Sequence, residues 1–350
     1  KFVSRASRRP ATEEDLVPFL ALYEARMEDG DTRREAAGEV MRAVLTSPKF
    51  LLISEKKHDP EAGPVRPLTG HELATRLSYF LWASTPDEEL LSVADQLTDP
   101  EVLEKQVHRM LDDPKSKELS DSFAYQWMKL NVLVGAQPDP RRNPEYYDGP
   151  KGKRTMAAPL LQEALLLFET VLIENRPLFD LIDPGFTWMN PDLIQYYGLE
   201  DHFQEELKDA EDIDKNGRKR LDNSKWYKCE LPDRRRGGIL TMGATLTLNS
   251  LPLRTSPVYR GAWVTEVVLN RPPPPPPAMV DELGADDQEM QEAGLTLRKK
   301  LEMHRNKADC AGCHTRIDPL GFPLENYDAI GLWRESYGKF PVDASGTLHG

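Results

Sequence analysis

Cys310-Ala311-Gly312-Cys313-His314 has the C-x-x-C-H spacing by which a c-type haem is attached to a chain. Two thiols three positions apart can each form a thioether to one vinyl group, and the next residue then sits under the iron. His314 is the expected proximal ligand through one imidazole nitrogen. The other nitrogen needs an acceptor that fixes the ring. The following Ile317-Asp318-Pro319-Leu320-Gly321 reads as a turn set by Pro319, and a backbone carbonyl of that turn is the expected acceptor. Zinc would require four ligands, and the only other cysteine, Cys229, is isolated. A redox dithiol would follow a strand, whereas a helix-like stretch, Leu295 to Lys307, precedes the motif.

The rest of the composition bounds the surroundings of that motif. A chain of 350 residues can hold two or three domains with real cores. Its net charge of −13 argues against nucleic acid and against a polybasic membrane anchor, and leaves room for a basic redox partner. No run of about 18 apolar residues is present, so no transmembrane segment is expected. No signal peptide is read at Lys1; Arg5, Arg8, Arg9 and Pro10 read as the interior of a larger or processed polypeptide. Three cysteines exclude a disulfide scaffold and leave Cys229 as a free thiol.

Most of the first 200 residues read as helices. Thr12-Glu13-Glu14-Asp15 approximates a capping box ahead of an apolar stripe at Leu16, Phe19, Leu20, Tyr23 and Met27. Thr69 with Glu72 opens a second helix, Thr85-Pro86-Asp87-Glu88 a third with Thr85 as its cap, and Asp99-Pro100 a fourth. Phe123, Trp127 and Leu130 continue the bundle, Leu160 to Ile173 is apolar enough for a central helix, and Asn190-Pro191 starts a short one. The stripes are expected to be core. Nothing reads as a P-loop, a dinucleotide-binding glycine pattern or a nucleophile elbow.

From Glu205 to Asn223 the chain turns acidic and poor in apolar residues. Asp212-Ile213-Asp214-Lys215-Asn216-Gly217 opens like a calcium loop, with Asp212, Asp214 and Asn216 as candidate ligands. The twelfth position, where a bidentate acid belongs, is Asn223. Ile239 to Leu248 reads as an extended segment or a buried helix, and Ser256-Pro257 caps a helix to about Asn270. Pro272 to Pro277 as polyproline II is a stiff spacer of roughly 19 Å.

The chain as a whole resembles the planctomycete cytochrome c-type multidomain proteins, built from domain-of-unknown-function families 1595, 1592, 1588 and 1585. The first is matched by Arg8-Arg9-Pro10-Ala11-Thr12-Glu13-Glu14 and Leu45-Thr46-Ser47-Pro48-Lys49-Phe50. The second is matched by Glu72 to Trp82 and Phe123 to Leu130. The third is matched by Arg236-Gly237-Gly238, Arg254-Thr255-Ser256-Pro257-Val258-Tyr259-Arg260-Gly261, the proline run, and Cys310 through Trp333-Arg334. Val342-Asp343-Ala344-Ser345-Gly346 resembles the start of the fourth. The resemblance implies a haem c and an extracytoplasmic location, periplasm or cell surface.

No methionine lies downstream of His314, so a sixth iron ligand has to come from elsewhere. Met242 is the first candidate, because it lies in the Arg236 to Ser256 block. Met279, Met290, Met303, His304 and the near-terminal His349 are alternatives. Arg254, Arg260, Arg316 and Arg334 are candidate propionate donors, Tyr327 and Trp333 candidate packing residues, and Pro319 belongs to the cofactor-binding set.

The expected architecture is mainly α: a helical N-terminal scaffold followed by a c-type cytochrome-like haem domain joined through a polyproline spacer. Its expected divisions are helical domains at 1–60 and 68–200, an acidic insertion at 201–235, a haem domain at 236–336 and a truncated start at 337–350. The expected function is single-electron transfer by a monohaem protein, with a redox partner protein or a neighbouring subunit of a larger assembly. A haem enzyme with open, peroxidase-like iron and a binding module of a polysaccharide-handling surface assembly are the alternatives. The expected cofactors are covalent haem c and Ca2+.

Overall fold

Three threonines start three helices in the same way. Thr12, Thr32 and Thr69 each accept a hydrogen bond from the backbone three residues on, and Asp15, Glu35 and Glu72 each accept one back from the threonine's N–H. Two orphan donors are thereby satisfied at each end. In the computed structural model these boxes open α1 (Glu13–Glu28), α2 (Arg33–Leu45) and α3 (Gly70–Trp82). Asp99 with Pro100 opens α4 (Pro100–Asp112). The structure describes residues 1–53, 55, 65–147, 154–213, 218–274, 292, 294–305 and 308–346, with side chains 304–310 excepted.

These helices belong to one unit, Lys1–Leu119; a second unit spans Ser120–Gly350. Within the first, the Trp82 indole on α3 donates to the Met110 carbonyl on α4 at 2.8 Å. Thr85 does not cap a helix: the short turn Glu88–Ser92 is capped by Asp87, whose carboxylate accepts from Leu90 N–H and is gripped twice by Arg109. The α1 stripe is also only half core. Leu16 and Phe19 pack against Val3, Ala6 and Val44, but Leu20 is 56 % exposed and Met27 is exposed as well. Asp15 is the polar anchor here, bound by Arg9 through both oxygens, by Lys49 at 2.6 Å and by Thr12 N–H.

Those cations hold the Asp15 carboxyl far below the ordinary 3.8. Its folded-state pKa is depressed, so its stabilisation is complete above the ordinary value and drains away as pH falls. Asp15→Asn is expected to cost about 2 kcal/mol at neutral pH. Denaturant titrations should show the gap from wild type closing progressively below pH 3.8.

The second unit is built around α5 (Ala157–Ile173), the expected central helix, with Leu160, Ala164, Leu165, Leu167 and Val171 buried. Strand β1 (Phe186–Met189) leads through an Asn190 cap into α6 (Pro191–Tyr196). A hairpin of β2 (Glu211–Ile213) and β3 (Lys219–Leu221) precedes β4 (Tyr227–Glu230), which pairs antiparallel with β1, Thr187 opposite Cys229. The Ile239 to Leu248 stretch is helical and buried, split by Met242 into α7 (Gly238–Thr241) and α8 (Gly243–Leu248). Short strands β5 (Ser250–Leu251) and β6 (Arg254–Thr255) lead into α9 (Pro257–Trp263), then α10 (Leu297–Arg305) and α11 (Ala308–Gly321). Strands β7 (Ser336–Tyr337) and β8 (Phe340–Pro341) form the last hairpin.

Helices dominate, as expected, but the described residues form no separate cytochrome-like haem domain held off by a proline spacer. One core takes Met128, Leu160 and Leu167 from the expected scaffold and Ile239, Leu246, Trp263, Tyr327 and Ile330 from the expected haem domain. Hydrogen bonds stitch the same two stretches: Trp263 Nε1 to Met128 O, Trp127 Nε1 to Val267 O, and Tyr196 Oη to Ile330 O. The prolines therefore connect two parts of one body, since α9 before them packs on α11 after them. The physical reason is burial: without α5 beside it, α8 would expose the apolar face it buries in that core. Pro275 to Pro277 lie outside the described residues.

Candidate functional site

Helix α11 carries the C-x-x-C-H stretch. Helical register puts positions 310, 313 and 314 on one side, because residues three and four apart are neighbours on a helix surface. The stretch after His314 is not the expected turn; the helix continues through Pro319 to Gly321. Proline near a helix C-terminus forfeits one backbone bond without ending the helix, and Thr315 Oγ1, donating to Ala311 O at 2.6 Å, supports the preceding turn.

The acceptor for the imidazole is accordingly a side chain. His314 Nδ1 lies 2.9 Å from Asp318 Oδ1, one helical turn away. Asp318 is 0 % exposed, and its second oxygen finds no hydrogen-bond partner among the described residues. Cys313 is a partly buried free thiol; the Cys310 side chain lies outside the described residues. The i,i+4 relation of His314 and Asp318 was available in the sequence, but the proline between Asp318 and Gly321 pointed to a turn instead.

Two glycines let α11 lie directly on α9. A Cβ on Gly261 would stand 2.1 Å from Ile317 O, and one on Gly321 would stand 1.8 Å from Pro257 O. Backbone meets backbone at both ends of this contact, and it fixes the half of α11 that holds Asp318.

The arginines expected near a haem come together as a clasp around Glu325. Arg260, buried on α9, donates to the carbonyls of Leu324, Tyr327 and Asp328 at 2.6, 2.8 and 2.6 Å, to Ser250 Oγ and to Glu325 Oε1. Burial pulls its pKa down to about 10, which leaves it a cation. Arg334 binds the other Glu325 oxygen at 3.0 Å together with the Glu325 carbonyl and Thr255 Oγ1. Arg254, also buried, donates to Thr255 O. The Arg260 and Arg334 guanidinium groups hold the Phe322–Asn326 turn; only Arg316 of the four is exposed. Trp333 is 37 % exposed and meets Tyr327 edge to face at 5.3 Å. Met242 is buried in the main core, and Met303 is exposed on α10.

A further buried polar group, not expected from the sequence, lies on α5. Glu163, on the apolar face of α5, accepts from Tyr197 Oη at 2.6 Å and from Thr187 Oγ1 at 2.8 Å. The Arg236 guanidinium stacks 3.6 Å from the Tyr197 ring and donates to Gly331 O. An acid at the centre of a largely apolar run, Leu160 to Leu167, was the available signal. Burial raises the Glu163 pKa above its ordinary 4.5. The native state then keeps a proton that the unfolded chain releases, so stability should fall as pH rises from 4.5 towards the raised value. Glu163→Gln should flatten that slope in denaturant titrations.

Of the expected calcium ligands, Asp212 is paired with Arg220 across β2 and β3, while Asp214 and Asn216 lie outside the described residues. Asn223 Nδ2 donates to Asp192 Oδ1 instead of facing a loop. Among the described residues no group of three or more His, Cys, Asp or Glu could hold a metal ion. Met279, Met290 and His349 lie outside the described residues too, as does the side chain of His304. No helix among the described residues is long and apolar enough to cross a membrane.

What the residues present offer an iron porphyrin is one face: a thiol at 313 and an imidazole at 314 with one nitrogen fixed by a buried carboxylate. That donor set fits proximal haem attachment. A helical body with a C-x-x-C-H helix packed into it is the class that fold and site define. Family models match three consecutive parts of the chain: residues 1–55 match PSD5, a protein of unknown function (DUF1595), residues 68–199 match PSD4 (DUF1592), and residues 236–337 match PSCyt3 (DUF1588). The chain belongs to these planctomycete cytochrome c-type domain families. No curated protein and no solved structure matches it significantly.

Proposed function

We propose that the chain carries one haem c, joined through Cys310 and Cys313 with His314 on the iron, and passes single electrons to a partner protein outside the cytoplasm. When bound, the haem supplies a one-electron couple. The chain's own residues do the rest. Cys313 and His314 share a helix face, Asp318 holds the imidazole in one orientation, and the Arg260–Glu325–Arg334 clasp with the α9–α11 contact keeps that helix in place. The observation that carries the reading is the 2.9 Å contact between His314 Nδ1 and the buried Asp318 carboxylate, with Nε2 assigned to the iron in this reading. The cytochrome-like family name of residues 236–337 agrees with it. The test is the visible spectrum of protein made with a haem-attachment apparatus, oxidised, reduced, and reduced under carbon monoxide. Low-spin bands that ignore carbon monoxide support electron transfer. Bands that shift mark an open iron and replace this reading with a peroxidase-like enzyme.

A second reading, a saccharide-binding module, has an observation of its own. A cleft of about 980 Å³ in the second unit is lined by Tyr147, Gln162, Gln195, Tyr196, Asn223 and Trp226. Planar amides beside aromatic rings suit a polyhydroxylated ligand. Saturable oligosaccharide binding that is indifferent to haem content would favour it.

A further inference from the structure

We infer that Asp318 is a positioning residue that makes His314 an unusually electron-rich ligand, so that the attached iron is biased towards its ferric state. This rests on the reading of His314 as the iron ligand.

Asp318 is costly where it stands. Its carboxylate is sealed from water, one oxygen faces His314 Nδ1 at 2.9 Å, and the other has no hydrogen-bond partner among the described residues. A buried, half-satisfied carboxylate is destabilising unless its one partner is strongly polar. Helix stability does not account for it. Asp318 sits three residues before Gly321, the end of α11, where the helix dipole disfavours negative charge, and an acid placed after its basic partner is the weaker i,i+4 order. Nor does packing: the neighbouring α9–α11 contact is made by Gly261, Ile317, Gly321 and Pro257, and needs nothing from the carboxylate.

An imidazole that gives its Nε2 lone pair to a metal has a strongly polarised Nδ1–H, and that is the partner a buried carboxylate needs. A neutral backbone carbonyl, the acceptor expected from the sequence, would only orient the ring. A carboxylate also draws on the proton and raises the basicity of Nε2. A more basic axial ligand stabilises the more highly charged iron, so the potential falls.

The experiment compares full-length haem-loaded wild type with Asp318→Asn, which keeps an acceptor oxygen and loses the charge. Attachment should persist. At a fixed applied potential the ferric-to-ferrous ratio should fall about tenfold, which is 59 mV for a one-electron couple. In ferric wild type the Nδ1–H proton of His314 should exchange slowly with solvent by NMR, and faster in the variant. The wild-type exchange measurement stands even where the variant fails to fold. Attached haem with an unchanged potential, or a freely exchanging Nδ1–H in wild type, overturns the inference alone. Absence of attached haem from wild type overturns the reading of His314 as ligand and this inference with it.

Discussion

Arg260→Met is expected to destabilise the Ser120–Gly350 unit by about 4 kcal/mol. The side chain keeps its length and apolar stem, so little volume is lost. What disappears is a guanidinium that satisfies three backbone carbonyls, one hydroxyl and one oxygen of Glu325; the bonds to Leu324, Tyr327 and Glu325 are buried and those to Ser250 and Asp328 partly so. Each acceptor left without a donor costs about 1–3 kcal/mol, though relaxation and the surviving Arg334–Glu325 pair offset part of the sum. Arg260→Lys restores the charge but not the fork, since a single ammonium cannot reach the Leu324, Tyr327 and Asp328 carbonyls, Ser250 Oγ and Glu325 Oε1 at once. It should recover less than half of the loss. Urea denaturation followed by tryptophan fluorescence reads both variants, and a loss under about 1 kcal/mol for Arg260→Met would place the clasp among ordinary surface ion pairs.

Gly261→Ala and Gly321→Ala should each cost about 3 kcal/mol, and together they should abolish haem attachment before they abolish helix content. Neither glycine has the positive φ that would make a larger residue strained by itself. The obstacle is the approach of two backbones. The added methyl would meet a carbonyl oxygen at 2.1 Å in one case and 1.8 Å in the other, and backbone atoms cannot swing aside as a side-chain tip can. The two helices must part, and Ile317 and Asp318 move with α11. Circular dichroism and denaturant midpoints measure the cost; the haem absorbance per mole of protein measures the consequence. Alanine at both positions with full haem content would mean that the α9–α11 contact does not govern the site.

The parts of this fold that were legible in the sequence are those set by local chemistry. Thr12 with Asp15 and Thr69 with Glu72 announce their helices because capping is decided within four residues. Thr32 with Glu35 carries the same signal and could have been read with them. The apolar run from Leu160 marks a buried helix by composition alone. What was not legible is tertiary. That Trp263 bonds to Met128 and Tyr196 to Ile330 depends on contacts more than a hundred residues apart, which periodicity does not encode. The division into scaffold, spacer and haem domain failed for that reason. Arg254, Arg260 and Arg334 read as groups available to a cofactor because a sequence does not show burial; folded, they hold Glu325 and a set of carbonyls. The proposal for Cys310, Cys313 and His314 rests on their spacing, which a sequence displays in full. Asp318 was hidden by Pro319, which suggested a turn where the chain keeps its helix.

Digestion of the purified protein with trypsin releases residues 308–316 as one peptide, because Lys307 and Arg316 flank the motif. Acid extraction followed by mass spectrometry of that peptide tests the haem assignment. A peptide that keeps its haem through extraction, joined at Cys310 and Cys313, is the predicted result. The same peptide recovered with two free thiols, from protein made alongside a working attachment apparatus, would contradict it and leave Cys310 and Cys313 as a metal or thiol site.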